Sequence, residues 1–261
     1  MRNSFLPDYG RSLPAAGITS YRFGAAPPSL LERLPQGQTE RNTAGRARLH
    51  DGVLSPSPDT RWLDPGQAAI GEDFIYLPDF LSAEECRTLC AAAAQLEDRQ
   101  AVDNVPLDYW KGRILFHHDV AAALPEAGAV MYRARAAAIE RIAAHYALSA
   151  PIYADTIQLV RWPEGMHMPP HCDNANADGK PHSSPHRNFA SIVYLNDDYE
   201  GGEFYLTALN IVIKPRAGAL VAFTSGWHHE HAVLKILRGT RLTMPAFYTF
   251  DPAFSRHGLP R

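Results

Sequence analysis

The sequence predicts a mainly β fold with flanking helices, an antiparallel barrel or jelly roll buttressed by those helices. Three observations carry this expectation. Two helical periodicities come first, over about 82–96 and 126–147. After residue 150 the texture changes to short β-like runs at 157–162, 190–195, 203–206, 211–213, 219–223, 231–234 and 242–250. Turn residues separate them, at Asn196-Asp197-Asp198, Glu200-Gly201-Gly202 and Pro215-Arg216-Ala217-Gly218. Helices followed by many short strands suit one sheet packed on another or closed on itself. No internal repeat is visible.

Residues 1–70 read as a separate N-terminal extension, with the compact domain expected over 71–261. The extension is rich in Pro, Gly, Arg and Ser, as in Ala25-Ala26-Pro27-Pro28-Ser29, and shows no sustained period. Two readings stay open: an irregular arm, or an ordered flap anchored by Leu30, Leu31, Leu34, Trp62 and Leu63. Residues 74–81 are strand-like. Ser82-Ala83-Glu84-Glu85 then forms a capping-box pattern, with Ser82 as N-cap and Cys86, Leu89 and Ala93 on one helix face. In the second helix Val130, Ala134, Ala137, Ile139, Ile142 and Tyr146 are expected inside, and Arg133, Arg135, Glu140 and Arg141 on the wet side.

Composition narrows the function classes. The chain has 261 residues, 46% hydrophobic and 20% charged, with 25 basic and 28 acidic side chains and a net charge of −3. Such a balance gives no general attraction to nucleic acid or to an acidic membrane. The apolar runs are too short to span a bilayer. The N-terminus turns polar at once and lacks the apolar core of a secretory leader. Three cysteines, Cys86, Cys90 and Cys172, make an odd set, and the first two stand four apart in a predicted helix where a disulfide fits badly. A reducing, cytoplasmic setting is expected.

The 12 histidines are concentrated after residue 116 and carry the chemistry. His171-Cys172-Asp173 sets two ligand-capable side chains at i and i+2, which an extended strand turns to the same side. Taken by itself, such a pair is more often a surface or hydrogen-bonding feature than a metal site. A third ligand must come from a distant strand, and His228, His229 and His231 are the candidates. His231 is favoured because it opens a strand on which Val233 shares its side. Two histidines and one carboxylate on one face of an octahedron leave three positions open, enough for a bidentate oxoacid and oxygen. Arg241 opens the next apolar run, and a guanidinium there suits a second carboxylate through paired hydrogen bonds.

The segments His171-Cys172-Asp173-Asn174, 187–196 ending Ile192-Val193-Tyr194-Leu195-Asn196, and Asp197-Asp198-Tyr199-Glu200-Gly201-Gly202-Glu203-Phe204 resemble a known family. The likeness continues through Pro215, Gly218, Phe223-Thr224-Ser225-Gly226, His231-Ala232-Val233, Arg238-Gly239-Thr240-Arg241 and Phe247-Tyr248-Thr249-Phe250-Asp251-Pro252. From about Phe74 onward the chain is similar to the prolyl hydroxylase branch of Fe(II)/2-oxoglutarate dioxygenases. The nearest likeness is to the catalytic domain of leprecan-type prolyl 3-hydroxylases. Residues 1–70 lie outside it. Phe80-Leu81-Ser82-Ala83-Glu84-Glu85-Cys86 looks like the family's first helix.

The resemblance implies a double-stranded β-helix core, a cupin-like jelly roll. It implies His171, Asp173 and His231 as the metal ligands and catalytic centre, with Arg241 and Tyr194 holding the distal carboxylate of the cosubstrate. The cofactors implied are Fe(II), 2-oxoglutarate and O2, with ascorbate as reductant. The reaction implied is hydroxylation of an unactivated C–H bond of a prolyl or other amino-acid-derived substrate, free or in a peptide, with release of succinate and CO2. Halogenating relatives lack the carboxylate that Asp173 supplies. Asn174, Trp162, Trp227 and Arg161 flank the expected site as substrate contacts, and 176–186 has the composition of a lid. Trp162 stands near where many prolyl hydroxylases carry a tyrosine, and Trp227-His228-His229-Glu230 differs from the family's usual loop. Three readings compete: the same chemistry on a small metabolite, a non-catalytic metal or oxoacid sensor, and a structural zinc site, which would prefer four protein ligands. The partner expected is an amino-acid, peptide or small-molecule substrate. Oligomeric state is not legible.

Overall fold

A computed structural model describes residues 47–50, 53–56, 58–69, 73–97, 108–176 and 182–255. The expected anchors Leu30, Leu31 and Leu34, and the middle of the expected lid, 177–181, lie outside these residues. Two strands, β1 (Ala47–His50) and β2 (Val53–Pro56), pair as a hairpin. Then follow β3 (Arg61–Leu63), β4 (Ile75–Leu77) and α1 (Ala83–Gln95). Next come β5 (Ile114–Phe116), α2 (His117–Ala123) and α3 (Pro125–His145). The remaining strands are β6 (Tyr153–Pro163), β7 (Met168–His171), β8 (Phe189–Tyr194), β9 (Glu200–Gly201), β10 (Phe204–Leu206) and β11 (Ile211–Ile213). They continue with β12 (Leu220–Thr224), β13 (His231–Val233), β14 (Ile236–Arg238) and β15 (Thr240–Thr249).

Most of these strands fall into two sheets. The major sheet has the order β4-β12-β8-β15-β6-β5 and is antiparallel throughout; the minor sheet has the order β3-β11-β10-β13-β7. Alternation along the strands decides what each face carries. On β15, Met244, Ala246 and Tyr248 join α1 and α3 in one apolar cluster, whereas Phe247 belongs to the cluster between the sheets. On β8, Val193 faces the helices and Ala190 and Tyr194 face inward. Phe204, Leu206, Ile211 and Ile213 of the minor sheet meet them from the other side. Tyr205, Val212 and Ala232 point outward and are covered with Leu54 of β2.

Helices α1 and α3 form where the sequence marks them, whereas α2 was not expected. Ser82 caps α1: its hydroxyl accepts from the Glu85 N–H at 3.2 Å, and the Glu85 carboxylate accepts from the Ser82 N–H at 3.0 Å. Pro125 opens α3, where a missing N–H does no harm. Arg135 corrects the expected wet face. It is buried, with its guanidinium 5.5 Å over the Tyr132 ring, because α3 lays the same side as Met131, Ala134 and Ala138 on the major sheet.

The strand expected at 74–81 shortens to Ile75–Leu77 and stops at Pro78. Ahead of it, β3 runs parallel to β11, pairing Arg61 with Ile211 and Leu63 with Ile213. The segment just before residue 70 therefore contributes a strand to the minor sheet. Trp62, one of the expected anchors, stands 54% exposed, while Leu63 packs against the inner cluster.

Candidate metal and oxoacid site

His171 ends β7, in Met168-Pro169-Pro170-His171. Consecutive prolines hold the chain extended, and β7 is an edge strand of the minor sheet, where their missing N–H groups break no ladder. On the facing strand β13, His231 stands directly opposite His171. The next pair is Val233 with Met168, so β7 carries one extra residue, and the resulting bulge re-aims its end. Asp173 follows in a bend, tied by its N–H to the Ser225 carbonyl at 3.0 Å.

One donor atom from each of His171, Asp173 and His231 lies within 4.8 Å of the others. His171 Nε2 is 3.9 Å from Asp173 Oδ1, and His231 Nε2 is 3.9 Å from Asp173 Oδ2. The other ring nitrogens are occupied. His171 Nδ1 donates to the Pro169 carbonyl and His231 Nδ1 to the His229 carbonyl, both at 2.9 Å. A carbonyl only accepts, so both Nδ1 atoms carry a proton, and Nε2 is the nitrogen each ring turns toward Asp173. Burial pushes the His231 imidazole down to about 4, the neighbouring His171 adds to this, and Asp173 opposes it. His231 is thus held neutral among the rings of Phe204 and Phe223, as metal binding requires.

Across the sandwich, Arg241 on β15 is 1% exposed. Its Nε and Nη2 atoms, and the phenol oxygens of Tyr194 and Tyr199, are buried with no hydrogen-bond partner among the described residues. An uncompensated buried guanidinium costs several kcal/mol, so this cluster is built to receive an anion. Burial raises both phenols, and the charge of Arg241 and the close approach of its guanidinium to each phenol oxygen work against that. The guanidinium carbon lies 5.2 Å from the ring centroids of both Tyr194 and Trp162. Trp162 is paired opposite Arg241 in the β6–β15 ladder, and its indole N–H donates to Thr243 Oγ1 at 3.2 Å. Arg113 packs on the same indole, 4.6 Å from its centroid, inside a group formed with Tyr109 and Trp110.

The expected site residues therefore part into groups. His171, Asp173 and His231 converge at one end; Arg241 and Tyr194 converge on the facing sheet. Trp162 belongs to the wall around Arg241. Asn174 follows Asp173, donating to the Arg187 carbonyl at 2.8 Å while its Oδ1 is buried without a partner among the described residues. Arg187 in turn pairs with the buried Asp155 at 3.0 Å and lies 3.7 Å over the Phe247 ring. Trp227 is half-buried in the short turn Trp227–His229 that leads into His231. Arg161 is not brought to the site. It sits one residue from inward-facing Trp162, so alternation turns it outward, where it pairs with Glu97. Sequence reasoning passed over Tyr199, although it stood inside the Asp198-Tyr199-Glu200-Gly201-Gly202 turn, and it had no signal for Arg113.

A jelly roll with two histidines and a carboxylate at one end, and a buried cation with no partner among the described residues on the facing sheet, has the donor sets to suit a metal ion and an acidic small molecule. Residues 157–249, which include His171, Asp173, Tyr194, His231 and Arg241, match the model of the 2OG-Fe(II) oxygenase superfamily. Prolyl 3-hydroxylase 2 of Rattus norvegicus is 33% identical over 98 residues, covering 33% of this chain and 14% of that protein. The Homo sapiens protein of the same name is 32% identical over 98 residues with the same coverage. The chain thus spans a small fraction of the length of the curated relatives it matches. Among solved structures, the 2-oxoglutarate complex of the viral collagen prolyl hydroxylase from Paramecium bursaria Chlorella virus-1 superposes with a TM-score of 0.53 at 20% identity. It covers 69% of this chain and 96% of that one. The Trichoplax adhaerens prolyl hydroxylase, solved with a hypoxia inducible factor peptide fragment, gives 0.53 at 20%, covering 70% and 86%. At that identity the likeness is one of fold.

Proposed function

We propose that the chain is an Fe(II)- and 2-oxoglutarate-dependent dioxygenase that hydroxylates an unactivated C–H bond of a prolyl or similar amino-acid residue within a peptide. The observation that carries the reading is the pairing of two sites in one sandwich. A two-histidine, one-carboxylate set stands at one end, and a buried cation with no counter-ion among the described residues stands on the facing sheet. His171, Asp173 and His231 would hold the iron. When bound, it supplies O2 activation coupled to oxidative decarboxylation of 2-oxoglutarate to succinate and CO2, with ascorbate as the supporting reductant.

The remaining work falls to the chain. The Nδ1–H bonds to Pro169 and His229 fix the ring planes, so no reorientation is needed when the metal is taken up. Arg241 and Tyr194 would grip the distal carboxylate and so orient the oxoacid along the interior. Phe204 and Phe223, both fully buried against His231, keep water from the space beside that ligand. The peptide substrate is supported by relatives named prolyl 3-hydroxylase and by the fold shared with a hydroxylase solved with a peptide fragment.

The test is succinate release with Fe(II), 2-oxoglutarate and ascorbate against proline-containing peptides and free amino acids. Peptide-dependent succinate with a mass gain of one oxygen is expected. Turnover of free amino acids alone would transfer the assignment to a small-metabolite hydroxylase, and no turnover with any substrate would favour a sensor.

A further inference from the structure

Tyr199 lies in the turn before β9, with Gly202 against its ring and Gly239 against its Cβ and Cα. A Cβ on Gly202 would come within 3.2 Å of Tyr199 Cε2 and 3.0 Å of Arg241 Cδ, and a Cβ on Gly239 within 3.1 Å of Tyr199 Cβ. Both glycines have positive φ, +67° and +83°, a conformation that side chains rarely adopt. The backbone is thus shaped to bring this ring against the Arg241 stem. Phenylalanine would fill the slot equally well, yet a phenol is there, with its oxygen buried and unpartnered. Leaving a buried hydroxyl unpaired is unfavourable unless a ligand satisfies it.

The count of orphans is informative. Arg241 Nε, Arg241 Nη2, Tyr194 Oη and Tyr199 Oη are four donor atoms in one neighbourhood. An ionised carboxylate is acceptor-only, with two oxygens and about four lone-pair sites. We propose that Tyr199 is a third anchor of the oxoacid's distal carboxylate, donating its phenol proton beside Arg241 and Tyr194 and so making the pocket selective for a dicarboxylate. The inference rests on the 2-oxoglutarate reading above. It makes Tyr199 a binding residue with no part in the chemistry at the metal.

Anaerobic calorimetric titration of the Fe(II)-loaded chain tests it, using 2-oxoglutarate and 2-oxopentanoate, a five-carbon 2-oxo acid lacking the distal carboxylate. Tyr199→Phe is expected to weaken 2-oxoglutarate about tenfold, the loss of one hydrogen bond to a charged group, and to leave 2-oxopentanoate binding unchanged. Tyr194→Phe should show the same split, and thermal unfolding of both variants should match the unsubstituted chain. Equal weakening of both ligands would reduce Tyr199 to a packing role, and unchanged 2-oxoglutarate affinity would remove it from the pocket; either overturns this inference alone. If the unsubstituted chain binds 2-oxoglutarate no better than 2-oxopentanoate, the distal-carboxylate reading of Arg241 falls with it.

Discussion

A histidine offers a metal only one of its two ring nitrogens, and in this chain the backbone settles which. The carbonyls of Pro169 and His229 each take one Nδ1 proton, leaving both Nε2 atoms aimed at Asp173. Asp173→Ala removes the one anionic donor from the set, so Fe(II) affinity should fall by at least the ~100-fold upper range that loss of an outer partner produces. Anaerobic metal titration reads this out, with the melting temperature as the check that the fold survives. The convergence of these three residues was legible from the His-x-Asp spacing and the strand-opening histidine downstream, although Asp173 lies in a bend past the end of β7 and not on the extended strand expected for the pair. Tyr199 was not legible, since where a ring on a turn points depends on the positive φ of Gly202 and Gly239, and no periodicity encodes that. The error at Arg161 has a simple source: nearness in sequence to Trp162 is not nearness in space when neighbours on a strand face opposite ways.

Among the elements, α1 follows its local signals closely. Its capping box should contribute about 1 kcal/mol, so Ser82→Ala is expected to lower unfolding stability by that amount in urea titrations at neutral pH. The Glu85 carboxyl is held below its ordinary 4.5, chiefly by the Ser82 N–H. A carboxylate with a depressed folded value stabilises fully above 4.5 and loses that contribution as pH falls through the folded value. The gap between Glu85→Ala and the unsubstituted chain should therefore be widest at pH 7 and narrow as the pH falls below 4.5. Turns make a second test. Gly201 has φ +78°, and a Cβ there would stand 2.2 Å from the Lys235 carbonyl, across the β9–β14 pair. Gly112 has φ +67° with nothing within 4 Å. Gly112→Ala should cost about 1 kcal/mol, the left-handed penalty alone, and Gly201→Ala clearly more in the same denaturation assay. The strands of the second half were legible from apolar alternation and turn residues. β7 was not, because Pro169-Pro170 reads as a breaker and becomes a strand only at a sheet edge, which sequence does not announce.

At the scale of the molecule, division of labour between the sheets explains why sites so far apart in sequence can serve one reaction. The minor sheet supplies His171 and His231, and the major sheet supplies Tyr194 and Arg241. Helix-then-strand order made that layered architecture legible, whereas the parallel strand from Arg61 to Leu63 fell in a stretch whose composition carried no period. That strand has a practical consequence. Cutting the chain at residue 71, where composition alone would place the boundary, strips β3 and leaves the N–H and C=O groups of Ile211-Val212-Ile213 bare along an outermost β-branched ribbon. Unpaired strands of this kind adhere to one another. A version starting at 71 should scatter light and elute as aggregates, whereas one starting at 58 should run as a discrete species. The tail end of the seemingly dispensable segment, with Arg61 at its head, acts as the hem that keeps neighbouring copies from knitting together.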